Sequence, residues 1–444
     1  MNQVHNISLH EDWSIGRKLR FRYFSIFFFL FIFPFPIFLI PELPGWVTSW
    51  VYDGWGELVN WGGSTFFGIE EEISSRSTGS GDKTYNWVQN FMILIMALIG
   101  GTIWSILDRK RKSYQRIWRW FHLLITYYVA YFLFSYGLGK VFGEQFGYPA
   151  IARMLETYGE TSPMRLMWTF MSASEPYEQF SGWSEAIAGF LLLFRRTRTL
   201  GALAGAGVML NVFLMNMSYD VPVKLFSFQL MLMSIYIASA DYKRLLSIFL
   251  TNRPVGKIEW TPMFNTPWKK YTLLIIQIVL SGYIIYSPSK RGADLEKSFN
   301  PDRPRPALYG VHDVDLFILN GDTIPPLTTD TVRWSKAFMD LPGFGGRQLF
   351  GIKDMQNQLR YMQAELDTIE QIMTLKPFRD TVNAYPLNYE FNEGNLSLSG
   401  VFEGDTLQIS TSYFDPNDFI LVNRGFHWIN EVPYNRGVPY RSQQ

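Results

Sequence analysis

The chain contains no cysteine among its 444 residues. This absence excludes disulfides, thiolate nucleophiles, thiol redox relays and iron–sulfur clusters held by this chain. Histidine is also scarce, because only five are present and no two have the i, i+3 or i+4 spacing of a helical metal site. We therefore expect no haem, iron–sulfur cluster or metal ion. Basic runs interleaved with aromatic residues are missing too, which argues against nucleic-acid binding.

Charge divides the sequence into two unlike parts near residue 290. Residues 1–290 carry 26 Lys and Arg against 19 Asp and Glu, whereas residues 291–444 carry 14 against 20. The net charges are therefore +7 and −6, which sum to the +1 of the whole chain. Long apolar runs are confined to the first part. This pattern predicts an all-α membrane bundle followed by a soluble, β-rich α+β domain.

The first part contains seven apolar segments near the length of about 20 residues that crosses a bilayer. They are 23–41, 88–107, 121–140, 178–194, 199–217, 222–240 and 271–287. The fourth is the weakest, because Glu178 and Ser181 shorten its apolar part, and a re-entrant helix near 163–176 is the alternative. Basic clusters occupy alternate loops, which predicts insertion in the cytoplasmic (inner) membrane with the N-terminus in the cytoplasm and the C-terminal domain in the periplasm.

The predicted organisation has four parts. Residues 1–119 contain two spans and an outer, Gly- and Trp-rich loop that is expected to lie partly on the membrane surface. Residues 120–250 form a four-helix core, and residues 251–290 contain a cytoplasmic loop and the seventh span. Residues 291–444 form the outer domain, which the proline-rich segment 301–306 separates from the bilayer as a stiff linker.

The outer domain shows mainly strand patterns. Strands are predicted at 314–319, 329–334, 396–402, 406–411 and 419–422, with turns at Asn320-Gly321 and Glu403-Gly404. One amphipathic helix is predicted over 354–374, because its apolar residues recur with spacings of four and three. They are Met355, Leu359, Met362, Leu366, Ile369 and Met373.

Glu185 lies in an apolar stretch at predicted membrane depth. An ionised carboxylate there costs at least about 2.5 kcal/mol and is rarely kept without a partner or a task. Other polar residues are predicted near the outer ends of the same and neighbouring spans. The predicted ligand-binding cluster is Tyr136, Lys140, Glu185, Asn211, Asn216, Asp220 and Lys224.

Two interpretations of this cluster remain open. Glu185 and a lysine can form a structural ion pair, with the asparagines bonding between helices. The cluster can instead hold the headgroup of a lipid or quinone, with Glu185 as proton donor or acceptor.

The Gly201–Gly205 pair has the GxxxG spacing that favours close helix packing.

Three segments carry a resemblance to a known family. They are Tyr136-Gly-Leu-Gly-Lys140, Gly182-Trp-Ser-Glu185-Ala-Ile-Ala-Gly189 with the basic turn at 195–198, and the segment from Asn211 to Lys224. In this order they resemble the DoxX-like (DoxX/DoxD) superfamily of four-helix membrane proteins, over residues of about 120–245. The resemblance implies either quinone reduction, as in some members, or an accessory role. The absence of cysteine departs from members proposed for thiol redox work.

The predicted function is an integral membrane anchor or accessory component of a cell-envelope assembly, not an enzyme on its own. Membrane lipid and protein partners bound through the outer domain are the expected partners. The alternative is a quinone-linked membrane oxidoreductase subunit, with quinone as cofactor and a partner that donates electrons. The segment 423–436 is dense in polar and aromatic residues and predicts the partner-binding set Arg424, His427, Trp428, Glu431 and Arg436.

Overall fold

A computed structural model describes most of the chain. The described residues are 12–40, 43, 45–256, 263–299, 304–342, 347–378, 383–392, 394–431 and 433–434. The chain divides into two compact units, one made of Met1–Gln145 and Pro176–Lys297 and the other of Phe146–Glu175 and Ser298–Gln444. Residues 301–303 of the predicted linker lie outside the described part, as does Arg436.

Twelve α-helices occur in the described residues. They are α1 (Ile15–Ile32), α2 (Trp46–Phe67), α3 (Thr84–Leu107), α4 (Gln115–Val141), α5 (Ile151–Leu155), α6 (Pro163–Ser172), α7 (Glu175–Leu193), α8 (Arg198–Ser218), α9 (Lys224–Ala238), α10 (Tyr242–Phe249), α11 (Pro267–Phe299) and α12 (Ile420–Asn423). All the regular secondary structure in the described part of the first unit is helical. Helices α5 and α6 belong to the second unit, although the sequence analysis had included residues 146–175 in the four-helix core.

In the part of the chain that the structure describes, five helical segments are long and apolar enough to cross a membrane. They are Ile15–Leu39, Thr84–Leu107, Gln115–Val141, Arg198–Ser218 and Pro267–Glu296. Each overlaps one of the seven predicted spans. Helix α7 contains Glu178 and Glu185, and α9 has only 15 residues, which is about 22 Å against a hydrocarbon core of about 30 Å. For these two helices, crossing of the membrane stays a prediction.

Helix α4 is the central element of the helical unit. Within the most apolar part of α4, 72% is buried, against 11–39% for the other four segments. Its residues Ile125, Val129 and Leu133 are fully buried in a core that α1, α8 and α9 also line. The other apolar helices keep large side chains on the outside, as lipid-facing helices do.

The second unit contains a closed antiparallel barrel. Its strands are β1 (Gly310–Leu319), β2 (Asp322–Thr323), β3 (Trp334–Met339), β4 (Leu349–Asp354), β5 (Leu359–Asp367), β6 (Ile372–Pro377), β7 (Tyr385–Asn392), β8 (Asn395–Phe402) and β9 (Asp405–Phe414). The order is β1-β3-β4-β5-β6-β7-β8-β9, and β9 pairs back with β1. Eight strands therefore form a ring in which each has two neighbours, while the short β2 pairs only with the end of β1.

Alternate side chains fill the barrel. Met373 and Leu375 of β6, Leu396 and Leu398 of β8, and Ile409 of β9 are buried in one apolar core. A second, smaller cluster lies on the outside of β1 and β3, where Ile151 and Leu155 of α5 pack with Val311 and Phe338. This packing explains why α5 belongs to the barrel unit rather than to the helical unit.

The strand predictions are partly confirmed. Strands at 314–319, 396–402 and 406–411 and the turns at Asn320 and Glu403 are present. The strand at 329–334 is wrong, because Asp330 accepts hydrogen bonds from the amides of Val332 and Arg333 and holds a turn there. The strand at 419–422 is also wrong, since α12 begins at Ile420.

The helix predicted over 354–374 is wrong. The segment forms β5 and β6, with a turn in which Gln371 has a φ of 54°. Met362 and Met373 point into the barrel, whereas Ile369 lies at the turn. Spacings of four and three fit a helix, but Met362 and Ala364 also alternate as in a strand, and pairing with β4 and β6 decides the outcome.

The turn geometry predicts very different costs for two residues that a helix would have placed on one stripe. Met373 is 0% exposed and Ile369 is 88% exposed. Met373→Ala should destabilise the barrel by about 2–5 kcal/mol, while Ile369→Ala should stay within about 0.5 kcal/mol. Thermal unfolding of the full chain in detergent measures both. Equal losses for the two variants would contradict the strand assignment.

Candidate functional site

Lys140 and Glu185 form an ion pair inside the helical unit. Lys140 lies in the last turn of α4 and Glu185 in the middle of α7. The Nζ atom of Lys140 is 2.9 Å from both Oε1 and Oε2 of Glu185. Lys140 is 6% exposed and Glu185 is 0% exposed. Each side chain therefore supplies the neutralising partner that a buried charge requires.

Small residues allow the two helices to approach this closely. An added Cβ at Gly137 would lie 2.6 Å from the carbonyl oxygen of Gly182, and one at Gly182 would lie 2.5 Å from that of Gly137. Further along the crossing, a Cβ at Gly189 would lie 3.2 Å from the oxygen of Ala130. The backbones of α4 and α7 are thus in contact, and a larger residue at either central glycine would separate Lys140 from Glu185.

The face of α7 that meets α4 repeats with helical spacing. Glu178, Gly182, Glu185 and Gly189 lie at intervals of four, three and four, and all four are buried. The sequence analysis took Glu178 only as a residue that shortens the apolar stretch. The alternation of acids and glycines on one stripe was the signal that marks this face as the buried one.

A second polar group forms around the start of α9. Lys224 Nζ lies 2.8 Å from Asp220 and 3.9 Å from Asp82. The carboxylate of Asp82 also accepts hydrogen bonds from the amides of Lys224 and Leu225, at 2.6 and 3.0 Å. Asp82 therefore caps α9 and fixes the loop before α3 against it. The sequence analysis missed Asp82, because its partner lies 142 residues further along the chain.

The structure divides the seven predicted cluster residues among several contact groups. Asn216 is buried and donates to Ser227 Oγ at 3.0 Å, which ties α8 to α9. Asn211 is exposed and contacts Met215 within its own helix. Tyr136 lies half-exposed between the rings of Phe132 and Phe226. Lys140 with Glu185, and Lys224 with Asp220, form the two ionic groups.

The Lys140–Glu185 geometry favours a structural pair. Both carboxylate oxygens of Glu185 already accept from one ammonium group, and the surrounding helix backbones are in contact. A proton donor or acceptor needs a free position for its substrate. Here Lys140 occupies that position.

The predicted partner-binding residues lie after the barrel. Arg424 bonds His427 Nε2 at 2.6 Å and Asn430 Oδ1 at 2.9 Å, and its guanidinium lies 4.9 Å from the ring centre of Tyr434. Trp428 is 90% exposed and its ring contacts that of Phe426, with centroids 4.9 Å apart. Glu431 is exposed. Arg424 thus organises a tail whose large apolar side chains face outward.

Comparison with known proteins identifies a relative of part of this chain. The "Uncharacterized protein YwoB" of Bacillus subtilis (strain 168) is 34% identical over 122 residues, which are 28% of this chain and 77% of YwoB. No protein-family model matches the chain. No solved structure matches it either. The resemblance to the DoxX-like superfamily stays a prediction.

The crossing of α4 and α7 should not tolerate an added methyl group. Gly137→Ala should destabilise the helical unit by about 1–3 kcal/mol, since the new Cβ meets backbone atoms that cannot rotate away. Gly207→Ala is the matched control, because no atom lies within 4 Å of its added Cβ and alanine favours a helix by about 1 kcal/mol. Unfolding in a mixed-micelle titration measures both. A Gly137→Ala variant as stable as Gly207→Ala would contradict the close crossing.

Breaking the ion pair from one side should cost more than removing it. Glu185→Gln leaves the Lys140 ammonium buried without a counter-charge and should lose about 3–5 kcal/mol of unfolding free energy, whereas Lys140→Met with Glu185→Leu should be nearly neutral. The same mixed-micelle titration measures each variant. If the double variant were as unstable as Glu185→Gln, the pair would contribute through more than mutual neutralisation.

Proposed function

This chain belongs to the family of YwoB from Bacillus subtilis, and we propose that it is an integral membrane anchor that holds a barrel domain at the membrane surface. It would act as an accessory component of a cell-envelope assembly. The observation that carries this proposal is the division into two units with different surfaces. The described residues of one unit include five helices of spanning length and composition, and the other unit has its own closed apolar core.

The basic clusters support one orientation for the proposed anchor. Lys and Arg are concentrated at 109–119, at 195–198 and at 243–253, which begin or end the apolar helices on alternate loops. If α7 and α9 cross the membrane as the sequence predicts, these loops share one side, which is the cytoplasm under the positive-inside rule. The N-terminus then lies in the cytoplasm and the barrel outside the inner membrane.

The outer unit supports binding of a protein partner through its tail. Every strand of the ring has two neighbours, so a partner cannot bind by adding a strand to it. Large exposed apolar side chains follow the barrel instead, at Phe426, Trp428 and Ile429. Aromatic residues of this kind are enriched at the centres of protein interfaces. The proposed interface is therefore this tail, with Arg424 and His427 holding its shape.

The helical unit supports lipid contact more than catalysis. Glu185 has Lys140 as a bidentate partner, so a quinone headgroup would have to displace an existing ion pair. The alternative of a quinone-linked subunit is supported only by the resemblance to the DoxX-like superfamily. This alternative predicts that the purified protein contains quinone in stoichiometric amount.

Removal of the exposed tail ring should abolish partner retention. The full chain is purified from its native membrane in mild detergent, and its proteins and lipids are identified by mass spectrometry. Trp428→Ala should reduce the amount of co-purified protein partner at least about tenfold. A loss of about 1.4 kcal/mol in binding free energy weakens binding tenfold, and truncation of a hot-spot side chain costs that much or more. Ile369→Ala, which removes an equally exposed apolar side chain from a barrel turn, should retain it.

Two results would overturn the proposal. Retention of the same proteins by Trp428→Ala would exclude the tail as the interface. Stoichiometric quinone in the purified chain, lost in Glu185→Gln, would favour the oxidoreductase subunit instead.

A further inference from the structure

Helix α10 has two chemically opposite faces. Around a helical wheel at 100° per residue, Tyr242, Leu245, Leu246 and Phe249 fall on one side, with Lys243, Arg244 and Ser247 on the other. Tyr242 and Phe249, with Leu250 just after the helix, line an open hollow of about 400 Å³. The helix has only eight residues, so it is far too short to cross a bilayer.

The apolar face of α10 is largely exposed. Leu245 packs against the apolar core of the helical unit. Leu246, Phe249 and Leu250 are exposed, with Phe249 at 72%. A row of apolar side chains as exposed as this one marks a site of contact with a membrane or another molecule.

The charges around this face indicate what it contacts. Lys243, Arg244 and Arg253 are the cations of the segment 241–253, and Asp241 is its only acid. Asp241 accepts a hydrogen bond from the hydroxyl of Thr199 in α8 and is thereby engaged within the unit. The segment thus presents cations beside a row of apolar side chains, the pattern of helices that lie in the interface of an anionic membrane.

We propose that α10 lies in the plane of the cytoplasmic leaflet, with Leu246, Phe249 and Leu250 among acyl chains and Lys243 and Arg244 at anionic headgroups. Its position supports this placement, since α10 follows α9 after one 3₁₀ turn at Ser239–Asp241. Asp241, just before α10, bonds Thr199 in the first turn of α8, so α10 lies at one end of that apolar helix, where a surrounding bilayer has its surface. This inference rests on the proposed membrane anchor.

The lack of cysteine makes a direct test straightforward. A cysteine introduced into this chain is the only thiol, so a spin label attaches at one chosen position. The full chain is reconstituted in bilayers of phosphatidylcholine with phosphatidylglycerol, and its label is exposed to oxygen or to a water-soluble nickel chelate. Labels replace Phe249 on the apolar face, Lys243 on the polar face and Leu210 in the middle of α8. Thermal unfolding of each variant verifies that the unit still folds.

The expected result is a graded depth. Leu210→Cys should have the highest ratio of oxygen to nickel accessibility, Phe249→Cys an intermediate ratio and Lys243→Cys a ratio several-fold lower than Phe249→Cys. In bilayers of phosphatidylcholine alone, the Phe249 ratio should fall, and Lys243→Gln with Arg244→Gln should remove that dependence on lipid charge.

The outcomes separate this inference from the anchor itself. A Leu210 label open to nickel would overturn the membrane anchor. A lipid-exposed Leu210 label with a nickel-accessible Phe249 label would overturn only the placement of α10. A Phe249 label shielded from both reagents would show that protein covers the face. Equal Phe249 ratios in neutral and anionic bilayers would overturn the role of Lys243 and Arg244.

Discussion

The backbone contact between α4 and α7 is the constraint on which the helical unit depends. Gly137 and Gly182 bring the two helices within reach, and only at that separation can Lys140 contact both oxygens of Glu185. The pair in turn offsets part of the cost of placing charges among apolar helices. The close packing of α4 against α7 and the neutralisation of Glu185 by Lys140 therefore depend on each other. A bulky residue or a missing charge at this crossing would affect both.

The barrel is stabilised by pairing of its strands into a closed ring. Eight short strands leave no open edge once β9 pairs with β1, so backbone groups are satisfied without help from a membrane or partner. Its core uses side chains such as Met373 and Leu398. The outside of β1 and β3 is covered by α5, whose residues come from a segment between α4 and α7. Two stretches distant in sequence thus build one domain.

The predictions that succeeded depend on short-range chemistry. The apolar runs behind α3, α4, α8 and α11 reach the length of about 20 residues that crosses a bilayer. The hairpins at Asn320-Gly321 and Glu403-Gly404 follow from their glycines, which readily accept positive φ. The failure at 354–374 has an equally physical cause. Spacings of four and three are compatible with a helix, but only pairing with neighbouring strands shows that a turn interrupts them at Ile369.

For the candidate site, too, some features were predictable from the sequence and others were not. Composition and spacing established that Glu185 lies in an apolar stretch, that lysines flank it and that no thiol is present. They could not distinguish Lys140 from Lys224 as its partner, nor find Asp82 as the partner of Lys224, since these choices join segments 45 and 142 residues apart. Local patterns determine which residues avoid water, because burial follows side-chain chemistry. The partner of each buried charge was decided only by the crossing of helices, because contact depends on distances that sequence spacing does not contain.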